Sequence, residues 1–136
     1  MQFFIAGLGS MGKRRIRNLF ANGEKDIVGF DVRPDRNKEA EEKYGIRIVT
    51  KLADISPNDF DVLIISTSPD AHGDYIRFAL KHKKHFFVEH PTSDDGYTEI
   101  LANKDATIKA PSCTFLFNPA IKMMKQVLEK GELGKV

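Results

Sequence analysis

The sequence predicts an α/β fold, a doubly wound parallel sheet. Short apolar runs of strand length alternate along the chain with segments of helical periodicity. The runs are near-continuously apolar, as strands covered on both faces must be. Right-handed crossovers between parallel strands then leave few topologies, and double winding is the favoured one. With 136 residues, 41% of them hydrophobic, the chain can bury one core. No repeat, low-complexity tract or Pro/Gly/Ser linker divides it.

Each element follows from its own residues. "QFFIAG" is a first strand ended by glycine, and "MGKRRIRNLFANG" a helix with Met11, Ile16, Leu19 and Phe20 at helical spacing. "DIVGFD" is a second strand. "PDRNKEAEEKYG" is a helix bounded by Pro34 and Gly45. "IRIVT" is a short third strand, and "DFDVLIIST" the strongest apolar run of the chain. "DAHGDYIRFALKH" reads as a helix with Tyr75, Phe78 and Ala79 inward, and "KHFFVE" as the fifth strand. "SDDGYTEILANK" predicts a short helix capped by Ser93, with Asp94 and Asp95 as helix-start acids. "IKAPSCTFLF" predicts an extended edge segment because of Pro111, and "PAIKMMKQVLEKG" a last helix.

Charge and composition narrow the partners. Charged residues make up 29% of the chain but nearly cancel, at +2, which gives no reason to expect nucleic acid or an anionic membrane. No apolar run approaches the roughly 20 residues of a membrane span. "MQFFIAGLG" has no positive n-region and reads as a strand, not a signal peptide. The lone Cys113 forms no internal disulfide and suits a reducing, cytoplasmic setting. His72, His82, His85 and His90 lack tight ligand spacing, which argues against a metal site.

Gly7-Leu8-Gly9-Ser10-Met11-Gly12 is G-x-G-x-x-G between a strand and a helix, the context in which the motif binds a dinucleotide. Gly7 permits the tight turn, Gly9 lets the backbone approach a pyrophosphate, and Gly12 lets helix and strand pack closely. The helix N-terminus favours the phosphates. Asp31, 19 residues after Gly12, stands where an acid accepts hydrogen bonds from the adenine ribose. It would repel a 2′-phosphate, which favours NAD over NADP, while Arg33 beside it can accommodate that phosphate or stack on adenine. The fourth strand ends in Ser66-Thr67-Ser68-Pro69, with His72 just beyond. Small hydroxyl residues leave room for a cofactor; the plain alternative is helix capping by Ser68 or Asp70 and an exposed histidine. The fifth strand ends on Glu89-His90-Pro91, on the same rim.

Taken together, "GLGSMGKRRIRNL", "DVRP", "STSPDAH", "KKHFFVEHP" and "FNPAIKMMKQVLEKGELGKV" resemble, in order and spacing, the N-terminal part of the Gfo/Idh/MocA family of glucose–fructose oxidoreductases and inositol dehydrogenases. The resemblance implies a Rossmann domain of an NAD(P)-dependent oxidoreductase that moves a hydride between the nicotinamide and a sugar or cyclitol hydroxyl. It implies that residues 7–12 wrap the pyrophosphate and Asp31 takes the adenine ribose. Ser66, Thr67, Pro69 and His72 would line the cofactor cleft, and Glu89 would lie near the nicotinamide ribose.

The sequence departs from the family at three points. His90 occupies the place of the family's proton-transferring lysine; an imidazole can take or give a proton near neutrality, but it reaches less far. Leu116 precedes Phe117-Asn118-Pro119 where the family often has arginine. The chain stops at Val136, where the family continues into a second α/β domain. Residues 1–118 are therefore expected to form the dinucleotide-binding domain, and 119–136 a helix and the start of a connection to a missing C-terminal substrate domain. The apolar face of that helix, with Met123 and Met124, invites self-association into a homo-oligomer. A catalytically silent NAD(H)-binding protein is the alternative to an enzyme.

Overall fold

Phe3–Ala6 (β1) has every side chain buried, and it takes the centre of the sheet. In the computed structural model, which describes residues 1–90, 94–132 and 134, six parallel strands lie in the order β3-β2-β1-β4-β5-β6. The others are Ile27–Phe30 (β2), Arg47–Ile48 (β3), Val62–Ile65 (β4), His85–Val88 (β5) and Lys109–Pro111 (β6). Helices Ser10–Ala21 (α1), Pro34–Tyr44 (α2), His72–Lys81 (α3) and Tyr97–Ala102 (α4) connect them; Thr114–Phe117 (α5) and Pro119–Glu129 (α6) follow.

The period-2 alternation of β1 sends Phe3 and Ile5 to one face and Phe4 and Ala6 to the other. Phe3 and Ile5 join Ile27, Ile64, Ile16 of α1 and Ala40 of α2. Phe4 and Ala6 join Val28, Leu63, Ile65, Phe86, Phe60, and Ile76 and Ala79 of α3, with Ile100 of α4 packed against them. Burial on both faces is why the strand sequences carry no polar alternation.

The chain winds outward to β3, then crosses back to lay β4 against β1 with Ala6 opposite Ile65. Winding reverses between these two strands, and a crevice opens beyond their carboxyl ends. Gly7 and Ser66 are the first residues past that edge: the Gly7 N–H donates to Phe30 O and the Ser66 N–H to Ala6 O, both at 2.8 Å.

Three expectations differ from the structure. The segment expected to run extended through Phe117 leaves the sheet after Pro111, because β5 ends at Val88 and offers nothing further to pair with. Residues Thr114–Phe117 turn helical instead, and Asn118 becomes extended (φ −73°, ψ 121°), as a residue before proline prefers. α4 begins at Tyr97, after Gly96 at φ 88°; a Cβ on Gly96 would crowd Ile76 Cγ2 at 3.1 Å. The expected Ser93 cap, and Pro91, lie outside the described residues. Asp95 pairs with Arg77 of α3 (2.7 Å), whose hydrogen bond holds the Asp95 carboxyl below its usual range, so this acid ties a loop to α3 and is not helix-start chemistry.

α6 is capped by Asn118 Oδ1, which accepts from the Ala120 N–H at 2.9 Å. Its residues all stay at least partly exposed, and Met123, Met124 and Leu128 line an open apolar groove. No helix among the described residues is long and apolar enough to cross a membrane.

Candidate functional site

The glycine loop is fixed by contacts that only glycine permits. Gly7 sits at φ +91°, and a Cβ there would run into the Ser66 carbonyl. A Cβ on Gly12 would land on the Gly7 carbonyl oxygen. Gly9 is different: a Cβ on it would meet only the tip of the Arg36 side chain, at 3.5 Å. The space over Gly9 is therefore open to a ligand. α1 starts at this loop with no side-chain cap among the described residues and no acid in its first turn. Its leading N–H groups and positive dipole end face the same space.

A cleft of about 210 Å³ opens beside the loop, bordered by Gly7, Phe30, Asp31, Arg36, Ser66–Ser68 and Tyr75. Ser66 Oγ is buried and has no partner among the described residues, a donor left for a ligand's polar atom. Burial, then the negative charges of Asp31 and Asp74, holds the Tyr75 phenol above its usual value, so the wall it forms is uncharged. The open glycine loop, the uncapped helix start and the orphan hydroxyl fit a dinucleotide.

Asp31 is the most constrained side chain of the site. Its carboxylate is 3% exposed. Oδ2 accepts from the Leu8 N–H (2.8 Å) and Arg36 Nη1 (3.3 Å), and Oδ1 from the Arg33 N–H (2.9 Å). Asn37 holds the Asp31 backbone from both sides: Oδ1 accepts the Asp31 N–H, and Nδ2 donates to the Asp31 carbonyl, each at 2.8 Å. The Asn37→Ala variant leaves two buried backbone groups unpaired and is expected to lose about 2–3 kcal/mol. A drop in the urea midpoint with unchanged slope would register that loss.

The other expected site residues separate into groups. Ser66 and Thr67 border the cleft; Pro69 and His72 are absent from its lining. His72 is 1% exposed, so it neither lines the cleft, as the resemblance implies, nor stands at the surface, as the plain alternative has it. Its Nε2 lies 3.1 Å from the Thr67 carbonyl, which only accepts, so Nε2 carries the proton and the ring supports the Ser66–Pro69 turn from beneath. Leu8 points into the core, and its N–H is engaged by Asp31. Ser10 is exposed, and Met11 borders a second hollow formed with Arg14, Arg15, Phe87, Ser112 and Phe117. Arg33 turns outward to Asp35.

At the fifth strand tip, Glu89 is buried. Arg15 of α1 grips both its oxygens (Nε–Oε1 2.5 Å, Nη2–Oε2 3.0 Å), and the guanidinium lies 4.5 Å from the centroid of the Phe87 ring. His90, next in the chain, is exposed. Arg15, Arg36 and Asn37 are the site residues that the sequence reading missed. Arg15 carried a weak signal, standing one helical turn after Gly12; nothing local marks the other two.

Residues 1–113 match the family described as an oxidoreductase family with an NAD-binding Rossmann fold, Gfo/Idh/MocA. Myo-inositol 2-dehydrogenase of Thermotoga maritima is 28% identical over 99% of this chain, which spans 42% of that relative's length. The crystal structure of a myo-inositol 2-dehydrogenase from Lactobacillus plantarum superposes over the whole chain with a TM-score of 0.84 at 19% identity, covering 43% of that protein. The WlbA dehydrogenase of Bordetella pertussis, in complex with NADH and UDP-GlcNAcA, superposes over 96% of this chain and 41% of its own (TM-score 0.81, 21% identity). These two likenesses show the fold. The chain belongs to the Gfo/Idh/MocA oxidoreductase family and carries its NAD-binding Rossmann fold.

Proposed function

We propose that this chain is the cofactor-holding part of an NAD(P)-dependent oxidoreductase acting on a hydroxyl of a sugar or cyclitol. The observation that carries the reading is convergence: the open Gly9 loop, the uncapped start of α1 and the Asp31–Arg36 wall meet at one cleft, at the switch point of the sheet. The relatives' names support the substrate class. NAD(P) supplies the hydride acceptor. Residues 7–12 seat its pyrophosphate, and Asp31, Ser66 and Thr67 flank its adenosine half. His90, exposed at the tip of β5, takes the proton of the substrate hydroxyl as the alcohol carbon becomes a carbonyl. Residues 1–118 form the binding domain, α6 leads toward the substrate half, and the exposed thiol of Cys113 suits the cytoplasm.

Titrating the chain with NADH by calorimetry tests the reading. Saturable binding in the micromolar to millimolar range is expected, and its absence for both NADH and NADPH would remove the proposal. One observation favours a second reading: His90 stands where the family has lysine. A silent binder would bind NADH, oxidise nothing in a sugar and cyclitol panel, and gain turnover on His90→Lys; loss of a measurable turnover on His90→Ala would decide for the enzyme.

A further inference from the structure

We infer that the hollow between α1 and the tip of β6 is an anion seat, and that the sugar or cyclitol this domain serves carries a carboxylate or a phosphate. The inference rests on the oxidoreductase reading above and deepens it by naming the substrate class. Residues 13–17 of α1 hold four cations, Lys13, Arg14, Arg15 and Arg17. They stand near the positive end of a helix with no acid in its first turn, where cations are unfavourable. Three of them have an acceptor. Lys13 reaches Glu39 at 2.6 Å, Arg15 Nη2 reaches Glu89 Oε2 at 3.0 Å, and Arg17 donates to the Tyr44 hydroxyl at 2.9 Å. Arg14 is exposed and has none among the described residues.

Arg14 borders a hollow of about 220 Å³ whose walls include Arg15, Phe87, Ser112, Thr114 and Phe117, and which no acid lines. Arg15 is spent on Glu89, so the hollow keeps one unmatched positive charge, that of Arg14. Its planar fork suits the two oxygens of a carboxylate or a phosphate. Phe87 and Phe117 offer apolar surface for the face of a sugar ring, and Ser112 and Thr114 offer hydroxyls for its rim. The hollow shares no lining residue with the cleft beside Asp31. It stands instead between the two places the proposed reaction uses. Met11, on its wall, belongs to the glycine loop. The Ser112 N–H donates to the Val88 carbonyl at 2.7 Å, which sets Ser112 beside the strand tip that carries Glu89 and His90. A substrate held here by its anion lies alongside both. A neutral cyclitol would leave Arg14 as it is, without a partner.

The test is an amide NMR titration of the chain, with and without saturating NADH, using D-glucuronate, glucose 6-phosphate, D-glucose, myo-inositol and acetate. At least one of the two anionic sugars is expected to bind about tenfold or more tightly than glucose and myo-inositol, the size of one charge-assisted contact, with shifts centred on Met11, Arg14, Ser112 and Thr114. The tighter of the two tells a carboxylate seat from a phosphate seat. Acetate, a charge without a ring, is expected to bind at least about threefold more weakly than glucuronate. Arg14→Gln is expected to remove the preference for anionic sugars, and Arg14→Lys, which keeps the charge and loses the fork, to retain part of it. Arg17→Gln, the control on the same helix, moves it less than about twofold. A preference that survives Arg14→Gln, equal binding of charged and neutral sugars, or acetate binding as well as glucuronate would each overturn this inference. The chain alone builds the hollow, so the sugar results stand with or without NADH. A chain that binds neither NADH nor NADPH would remove the dinucleotide reading separately.

Discussion

Gly12→Ala is expected to destabilise the domain by at least about 3 kcal/mol, at the upper end of the usual cost of overpacking. The added methyl would coincide with the Gly7 carbonyl oxygen, and backbone cannot swing aside as a side-chain tip can. Relief requires α1 to move off the sheet. That motion loosens Ile16, which has no exposed surface and sits among Phe3, Ile5 and Ile64. Gly9→Ala, three residues earlier, should separate fold from function. Gly9 sits at φ −67°, ψ −162°, where alanine is at home, and its Cβ would meet only the tip of Arg36. Stability should hold or rise by about 0.5 kcal/mol, since alanine restricts the unfolded chain. NADH affinity should fall at least about tenfold, because the methyl fills the approach to the pyrophosphate. Urea unfolding and NADH titration of both variants give four numbers; a Gly9→Ala protein that binds NADH like the parent would dismiss the loop as the phosphate seat.

The contrast between these glycines shows which parts of the site were legible in sequence. The motif located the loop because backbone needs there are local: a turn at Gly7 and a close approach at Gly12. The strands are legible for a similar reason, since burial on both faces writes itself into continuous apolar runs such as "VLII". What stayed hidden depends on residues meeting across the fold. Asn37 reads as one more polar residue in a helix, yet it cages the Asp31 backbone. Position alone suggested that Asp31 would face the ribose, whereas its partners Leu8 and Arg36 converge on it from two other elements. His72 reads from the sequence either as a cleft residue or as an exposed one, but the turn before it folds the Thr67 carbonyl over the ring. The helical turn at 114–117 is hidden in the sequence because Phe115, Leu116 and Phe117 look like strand residues when the end of the neighbouring strand is unknown.

Arg15→Ala is the other substitution expected to have a large effect, about 3–5 kcal/mol. The Glu89 carboxylate is 7% exposed and would lose its one cation among the described residues, while Arg15 also gives up its contact with the Phe87 ring. Glu89→Ala should cost less, about 1–2 kcal/mol, because a long guanidinium side chain can turn toward water. In a double-mutant cycle the coupling of the two is expected to reach about 2 kcal/mol. Arg15→Met with Glu89→Leu tests what the pair is for, since apolar residues of similar volume often replace a buried ion pair at little cost. If the pair only fastens the β5 tip to α1, this double variant keeps near-parental stability and still binds NADH. If Glu89 also serves the ligand, as its place beside His90 on the rim suggests, the variant stays folded and binds NADH more weakly. Recovered stability with lost affinity would make Glu89 part of the site; recovery of both would assign it to the scaffold and leave His90 as the one titratable group that β5 brings to the rim.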